Sequence, residues 1–274
     1  MQASRVWHPP SGTLGQLTTA AHERAAALER RRADLKALAA DNPAGPSLVA
    51  ALRRDDVAVI AEVKRRSPSK GDISRGASAT VLGAAYADGG AAAISILTEP
   101  DHFGGDTRDL VDVRRRIDLP TLKKDFHVDS IQLLEARAIG ASALLLIARA
   151  LEPARLDDLA REAIALGVEV VIEVRDDDEL ARAVATGAPM IGVNNRNLET
   201  LVITPATAAR LMPLIPADRV AIYESGITGR DDVARAAALG ADAVLVGSSV
   251  SAAADPAAAV RALTGVVRQE RRAG

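Results

Sequence analysis

One phrase recurs along this chain: an amphipathic stretch, a glycine, one or two small residues, then a short apolar run. It reads as "AYADGGAAAISIL", "EARAIGASALLLI", "EAIALGVEVVIEV", "AVATGAPMIGV" and "AAALGADAVLV". Gly90, Gly140, Gly167, Gly187 and Gly240 stand where a helix end needs a left-handed residue before the chain turns. The runs that follow are rich in Val, Ile, Leu and Ala, as expected of parallel strands buried on both faces. A chain built on this phrase is held to an α/β fold with a parallel sheet.

Eight such runs are predicted as strands, near residues 57–64, 92–97, 120–124, 143–147, 168–173, 190–194, 219–224 and 243–247. Each is followed by a helical pattern, and neighbours begin about 20 to 35 residues apart, the size of one βα unit. Asp106 and Asp129 are placed to open helices, and Thr204-Pro205 puts proline at a first helical turn. Eight units in 274 residues predict a closed (β/α)8 TIM barrel. A doubly wound open sheet is the competing arrangement, but no G-x-G-x-x-G follows the first run. Residues 1–50 predict a helical extension packed on the barrel of residues 51–274, the whole acting as a single domain. The run Arg30-Arg31-Arg32 in that extension reads as the solvated face of a helix rather than a nucleic-acid patch.

Composition narrows the function classes. The net charge of −2 offers no general attraction to nucleic acid or anionic lipid, and 2% aromatic residues leave little for base stacking. No apolar run reaches the ~18 residues of a membrane span, and "MQASRVWHPPSG" lacks the apolar centre of a signal peptide. With no cysteine there are no disulfides, thiolate metal sites or thiol nucleophiles. A metabolite-handling protein of the cytoplasm is expected, with neither nucleic acid nor membrane as partner.

In this barrel class the active site forms where the strands end. The first run ends in Glu62 and Lys64, which alternation puts on one face. The third ends in Lys123 and Lys124, one of which must then face outward to solvent. The fifth ends in Glu173, the sixth in Asn194, the seventh in Glu224 and Ser225. Each alone reads as a charge leaving for water or a turn residue. Together, carboxylates, lysines and an amide converge on one rim, where acids and bases tune one another. Gly226 after the seventh run, and Gly247 with Ser248 after the eighth, suit a phosphate cup of backbone N–H groups.

These residues carry a resemblance. "VIAEVKRRSPSKG", "AAAISILTEPDHFGG", "LPTLKKDFHVDSIQLLEARAIGASALLLIA", "EVVIEV", "IGVNNRNLETL", "YESGI" and "VLVGSS" resemble, in order, the indole-3-glycerol-phosphate synthases. The resemblance runs from the N-terminal helices to the end of the barrel. It implies decarboxylating ring closure and dehydration of 1-(2-carboxyphenylamino)-1-deoxyribulose 5-phosphate to indole-3-glycerol phosphate, a lyase step of tryptophan biosynthesis. No metal or organic cofactor is implied.

By resemblance, Lys124 is the general acid on the ketone oxygen. Glu173 acts in the dehydration beside Lys64 and Glu62, and either Lys64 or Glu173 delivers the second proton. Asn194 and Ser225 hold hydroxyls and the anthranilate moiety, and Glu224 supports the lysines. Ser67 and Arg196 line the mouth; Phe103, Phe126 and Leu198 form the slot for the ring; Gly226, Gly247 and Ser248 cradle the phosphate. A lysine amid other cations is expected to have its pKa lowered toward working pH. "RRSPSKG", with Pro68 and Gly71, suits a lid. The chain departs from the family pattern in "KGDISRGASAT", at Asp106, where serine is common, and in "SSVSAAADP", which lacks the usual methionine and arginine.

A phosphoribosylanthranilate isomerase is a rival reading, but that chemistry wants an Asp–Cys pair and the chain has no cysteine. A barrel that binds a phosphorylated ligand without catalysis is the alternative. A monomer is expected, with a noncovalent pathway-enzyme partner left open.

Overall fold

The computed structural model describes residues 6–68, 71–74 and 76–271. Its eight barrel strands are β1 (Ala58–Val63), β2 (Ala93–Leu97), β3 (Thr121–Lys124), β4 (Ala143–Ile147), β5 (Glu169–Val174), β6 (Met190–Asn194), β7 (Val220–Glu224) and β8 (Ala243–Val246). All neighbouring pairs are parallel, and the sheet closes. β1 pairs with β8 from Ala58↔Ala243 to Ala61↔Val246, and with β2 from Ile60↔Ala93 to Val63↔Ile96. No end of an observed strand differs from the expected run by more than one residue, and the runs 143–147 and 190–194 are met at both ends. Val57, expected to open the first, instead gives its N–H to the Val266 carbonyl at 2.8 Å, outside the ladder.

Helices on the outside connect the strands, and their starts follow local chemistry. Asp106 accepts from the Arg108 N–H at 2.8 Å and caps Thr107–Arg114, so the departure from serine keeps the cap. Asp129 and Gln132 form a capping box on Ser130–Ala138. The five repeat glycines all adopt φ between +73° and +90°, the left-handed conformation the phrase requires. Pro205 stands just before Ala206–Leu211 rather than inside its first turn.

The N-terminal segment folds into Gly12–Leu28, Arg32–Asp41 and Leu48–Leu52. Arg30 and Arg31 are exposed, as expected of a solvated face. The first helix buries Leu14, Leu17 and Ala21 in the same apolar core as the barrel strands. Its Arg24 pairs with Asp125 just past β3 at 2.9 Å, which sets this helix over the mouth. Leu48–Leu52 lies at the opposite end, where Leu48 and Leu52 are fully buried. Its first amides are satisfied by the first residue of β5: Glu169 accepts from Leu48 N–H at 2.7 Å and Val49 N–H at 2.9 Å. Among the described residues no helix is long and apolar enough to cross a membrane.

After β1, Arg66–Ser67 and Gly71–Asp72 pair as a small antiparallel hairpin in the segment expected to form a lid. Ser69 and Lys70 of that segment lie outside the described residues.

Glu169→Ala should lower unfolding stability by about 1–2 kcal/mol through loss of the cap. A urea titration measures this, and turnover should be unchanged because the cap lies at the far end of the barrel.

Candidate active site

Because parallel strands all end at one rim, strand-end side chains with the same facing meet. One cavity of about 200 Å³ opens there. Every residue expected at the site lines it: Glu62, Lys64, Ser67, Phe103, Lys124, Phe126, Glu173, Asn194, Arg196, Leu198, Glu224, Ser225, Gly226, Gly247 and Ser248.

Its floor is a buried charge cluster. Lys124 Nζ lies 2.8 Å from Glu224 Oε2 and 3.7 Å from Glu173 Oε2. Across the cavity, Lys64 Nζ lies 2.8 Å from Glu62 Oε1. Among the described residues, Glu62 Oε2 and Glu224 Oε1 are buried without a hydrogen-bond partner. Burial opposes the charge on Lys124, but Glu224, Glu173 and Glu62 outweigh it and hold its ammonium above the ordinary lysine range. This corrects the expectation of a lysine lowered by neighbouring cations, because the groups around Lys124 are carboxylates. Burial and the Glu224 carboxylate push Glu173 up to about 7, against the pull of Lys124 and the Asn194 amide.

Glycines make room for these carboxylates. A Cβ on Gly192 of β6 would overlap Glu224 Oε1, and one on Gly247 would overlap Glu62 Oε1. Ser225 adopts φ +67°, unusual for a residue with a side chain, and donates its hydroxyl to Asn194 Oδ1 at 2.8 Å. Asn194 Oδ1 also accepts the Arg196 N–H at 2.9 Å, so one amide orders the ends of β6 and β7.

The apolar side of the cavity has Phe103 and Phe126, their ring centroids 6.2 Å apart. Lys64 Nζ stands 5.9 Å from the Phe103 centroid. Glu99 caps the turn Pro100–Phe103, accepting from the Phe103 N–H at 3.0 Å. At the far side, Gly226 adopts φ +90°, and Gly247 precedes the helical turn Ser248–Ser251, whose first amides have no partner within the turn.

Lys123 points away from the cavity, as alternation requires, but not to solvent. It is 0% exposed and bonded to Asp125 at 3.2 Å and Glu135 at 3.3 Å. The outer face of a barrel strand is covered by helices, so an outward lysine must be paired rather than solvated. Burial opposes its charge, and the two carboxylates still raise its pKa. Burial and Lys123 hold the adjacent His127 down to about 3, so its ring is neutral.

Sequence reasoning missed part of the wall. Thr13 and Leu17 reach the cavity from the N-terminal helix, and Leu97 and Ile147 from the ends of β2 and β4. Polar strand ends stand out in the sequence, whereas these two strands end apolar and carry no such mark. The spacing Leu14, Leu17, Ala21 marks the buried face of the first helix and was legible. Among the described residues no cluster of three or more His, Asp or Glu side chains is arranged for a metal ion.

A family model described as Indole-3-glycerol phosphate synthase matches residues 16–263. The chain belongs to that family. A curated relative of that name from a Nocardioides species is 51% identical over 234 residues, covering 85% of this chain and 90% of the relative. Indole-3-glycerol phosphate synthase 1 of Streptomyces coelicolor is 50% identical over 227 residues, covering 83% and 84%. Among solved structures, 3-hexulose-6-phosphate synthase from Salmonella typhimurium superposes with a TM-score of 0.61 at 19% identity, covering 76% of this chain and 96% of that one. Thiamine phosphate pyrophosphorylase from Pyrococcus furiosus gives 0.57 at 18%, covering 77% and 95%. At such identities these two show the barrel fold alone.

Gly192→Ala should displace the Glu224 carboxylate from Lys124, because the overlap is with the tip of a side chain rather than backbone. Turnover is expected to fall about tenfold or more, with far-UV circular dichroism unchanged.

Proposed function

We propose that this chain is an indole-3-glycerol phosphate synthase that works by general acid–base catalysis at the barrel mouth, with the residues gathered there in the following roles. The observation that carries the reading is the pairing of a lysine held charged, Lys124, with a carboxyl near neutrality, Glu173, on the floor of one cavity.

The substrate's ring enters between Phe103, Phe126 and Leu198, and its phosphate meets the amides around Gly226, Gly247 and Ser248. Ser67 and Arg196 close the mouth around it. The ring carbon bearing the carboxylate attacks the ketone carbon, and Lys124 gives the ketone oxygen a proton as the new C–C bond forms. Carbon dioxide then leaves, returning its bonding pair to the ring. Glu173 protonates the hydroxyl, which departs as water under the push of the anilino nitrogen. Loss of a C–H proton completes the indole. Its raised pKa makes Glu173 the group that gives and retakes a proton near pH 7.

Glu62 and Glu224 face the positive charge that develops at nitrogen and on the lysines. Lys64, held by Glu62 beside the ring slot, is placed for the ring carboxylate before it leaves. Asn194 and Ser225 hold substrate hydroxyls. Every residue in this proposal comes from one chain, so a monomer suffices, and the reaction is a cytoplasmic one in this reading.

The direct test follows indole fluorescence with 1-(2-carboxyphenylamino)-1-deoxyribulose 5-phosphate and the purified protein, with chelator present. Indole-3-glycerol phosphate should form at an enzymatic rate; tight binding without product would favour a binding barrel instead. Lys124→Ala should remove turnover by a factor of about 10² or more while the protein stays folded. In kcat/KM against pH, Glu173 carries its proton below about 7 and loses it above, so activity should fall as pH rises through that value. Lys124, held charged well above it, adds no limb there. In Glu173→Gln the residual activity should lack this limb.

A further inference from the structure

We infer that Ser251 is a positioning residue for the Glu62–Lys64 pair, its hydroxyl taking the place of a missing strand residue at the mouth of the barrel. The two neighbours of β1 end at different heights. On the β2 side the ladder continues to Val63↔Ile96, whereas on the β8 side it stops at Ala61↔Val246. In a parallel ladder one residue bonds the C=O before, and the N–H after, the residue opposite it. Even-numbered residues of β1 face β8, since the Ala58 N–H donates to the Asp242 carbonyl at 2.9 Å. Odd-numbered ones face β2, where Val59 accepts from the Ala92 N–H at 2.9 Å. The Glu62 carbonyl and the Lys64 N–H therefore point to the side from which β8 has already turned away.

β8 cannot continue there with an ordinary residue, because a side chain at position 247 would overlap the Glu62 carboxylate. Left alone, the buried Glu62 carbonyl and the part-buried Lys64 N–H would both lack a ladder partner, which is costly. The Ser251 hydroxyl meets both. It donates to the Glu62 carbonyl at 2.8 Å and accepts from the Lys64 N–H at 3.3 Å. These are the two bonds that a strand residue opposite Val63 would make. Tyr86 completes the arrangement: its hydroxyl lies 2.9 Å from Ser251 Oγ and 3.3 Å from the Glu62 carbonyl. Tyr86 is 0% and Ser251 4% exposed, so water does not substitute for either.

The consequence for chemistry is direct. Glu62 and Lys64 hold each other at 2.8 Å in the cavity, and their backbone is clamped from behind by one hydroxyl. Lys64 is also where the chain leaves β1, its carbonyl accepting from the Ser74 hydroxyl at 3.0 Å. Without Ser251 the end of β1 is free to shift, moving both charged groups off their places while the barrel below stays closed. This role rests on the activity proposed above.

The test compares Ser251→Ala, Ser251→Thr and Tyr86→Phe, each confirmed folded by circular dichroism and a urea titration at the assay temperature. Ser251→Ala is expected to lower kcat about tenfold or more, the scale of a misplaced catalytic group. Ser251→Thr, which keeps the hydroxyl, should recover most of it, and Tyr86→Phe should cost less than Ser251→Ala. Adding Ser251→Ala to Lys64→Ala should bring less than the loss Ser251→Ala causes alone, since one of the two groups the clamp places is already removed. A merely structural role predicts instead full kcat in the folded Ser251→Ala protein, or full additivity with Lys64→Ala, and either result overturns the inference. Amide hydrogen exchange at Lys64 reads the clamp without any turnover: it should quicken about tenfold or more in Ser251→Ala, and unchanged exchange also overturns the inference. If the unaltered protein forms no indole, the proposed activity fails while the exchange experiment still decides on the clamp.

Discussion

Closure of the sheet between β1 and β8 governs what every other part of the molecule can do. Once Ala58 to Ala61 pair with Ala243 to Val246, all eight strands run in one direction and end around one rim. A residue at the end of β1 and one at the end of β5 are over a hundred positions apart in sequence, yet they line one cavity. No local interaction brings Glu62 to Glu173; the ring of parallel hydrogen-bonded pairs does. The same closure hides the outer faces under helices, and so makes Lys123 a buried, paired group.

The charges at the rim are buried against one another, and their bonding within the protein is incomplete. Lys124 is surrounded by carboxylates, yet Glu62 and Glu224 each keep one buried oxygen without a partner among the described residues. Burying charges is costly unless they are fully bonded. Glycine at 192 and at 247 leaves the space that the two carboxylate tips fill. Strain at Ser225, in the left-handed region, belongs to the same group of local compromises at the rim. Elsewhere in the chain, helix caps such as Asp106 and Asp129 follow ordinary local preferences. Local rules fail mainly where the cavity is.

Much of this architecture is legible in the amino-acid sequence. Strand positions are readable because a parallel strand buried on both faces must be a short apolar run, and a glycine at the preceding helix end marks its start. The polar members of the site are readable because a charge has no place at the end of such a run. The apolar members are not: Leu97 and Ile147 look like any core residue, and nothing local says that their strands end at a cavity. Lys123 escapes a correct reading for a related reason. Alternation says that it faces away from Lys124, but it does not say whether water or a helix lies on that side.

Fold class, strand number, family and the polar residues of the mouth all follow from the order of residues along the chain, since periodicity, glycine placement and motif order are properties of neighbours in sequence. What those residues are to one another follows from tertiary packing alone. Packing set carboxylates rather than cations around Lys124, raised Glu173 toward neutrality by burial beside Glu224, and brought Ser251 behind β1, 189 positions from the carbonyl it bonds. Charge state and hydrogen bonding depend on distance and on exclusion of water. Both are fixed only when strands and helices distant in sequence pack against each other.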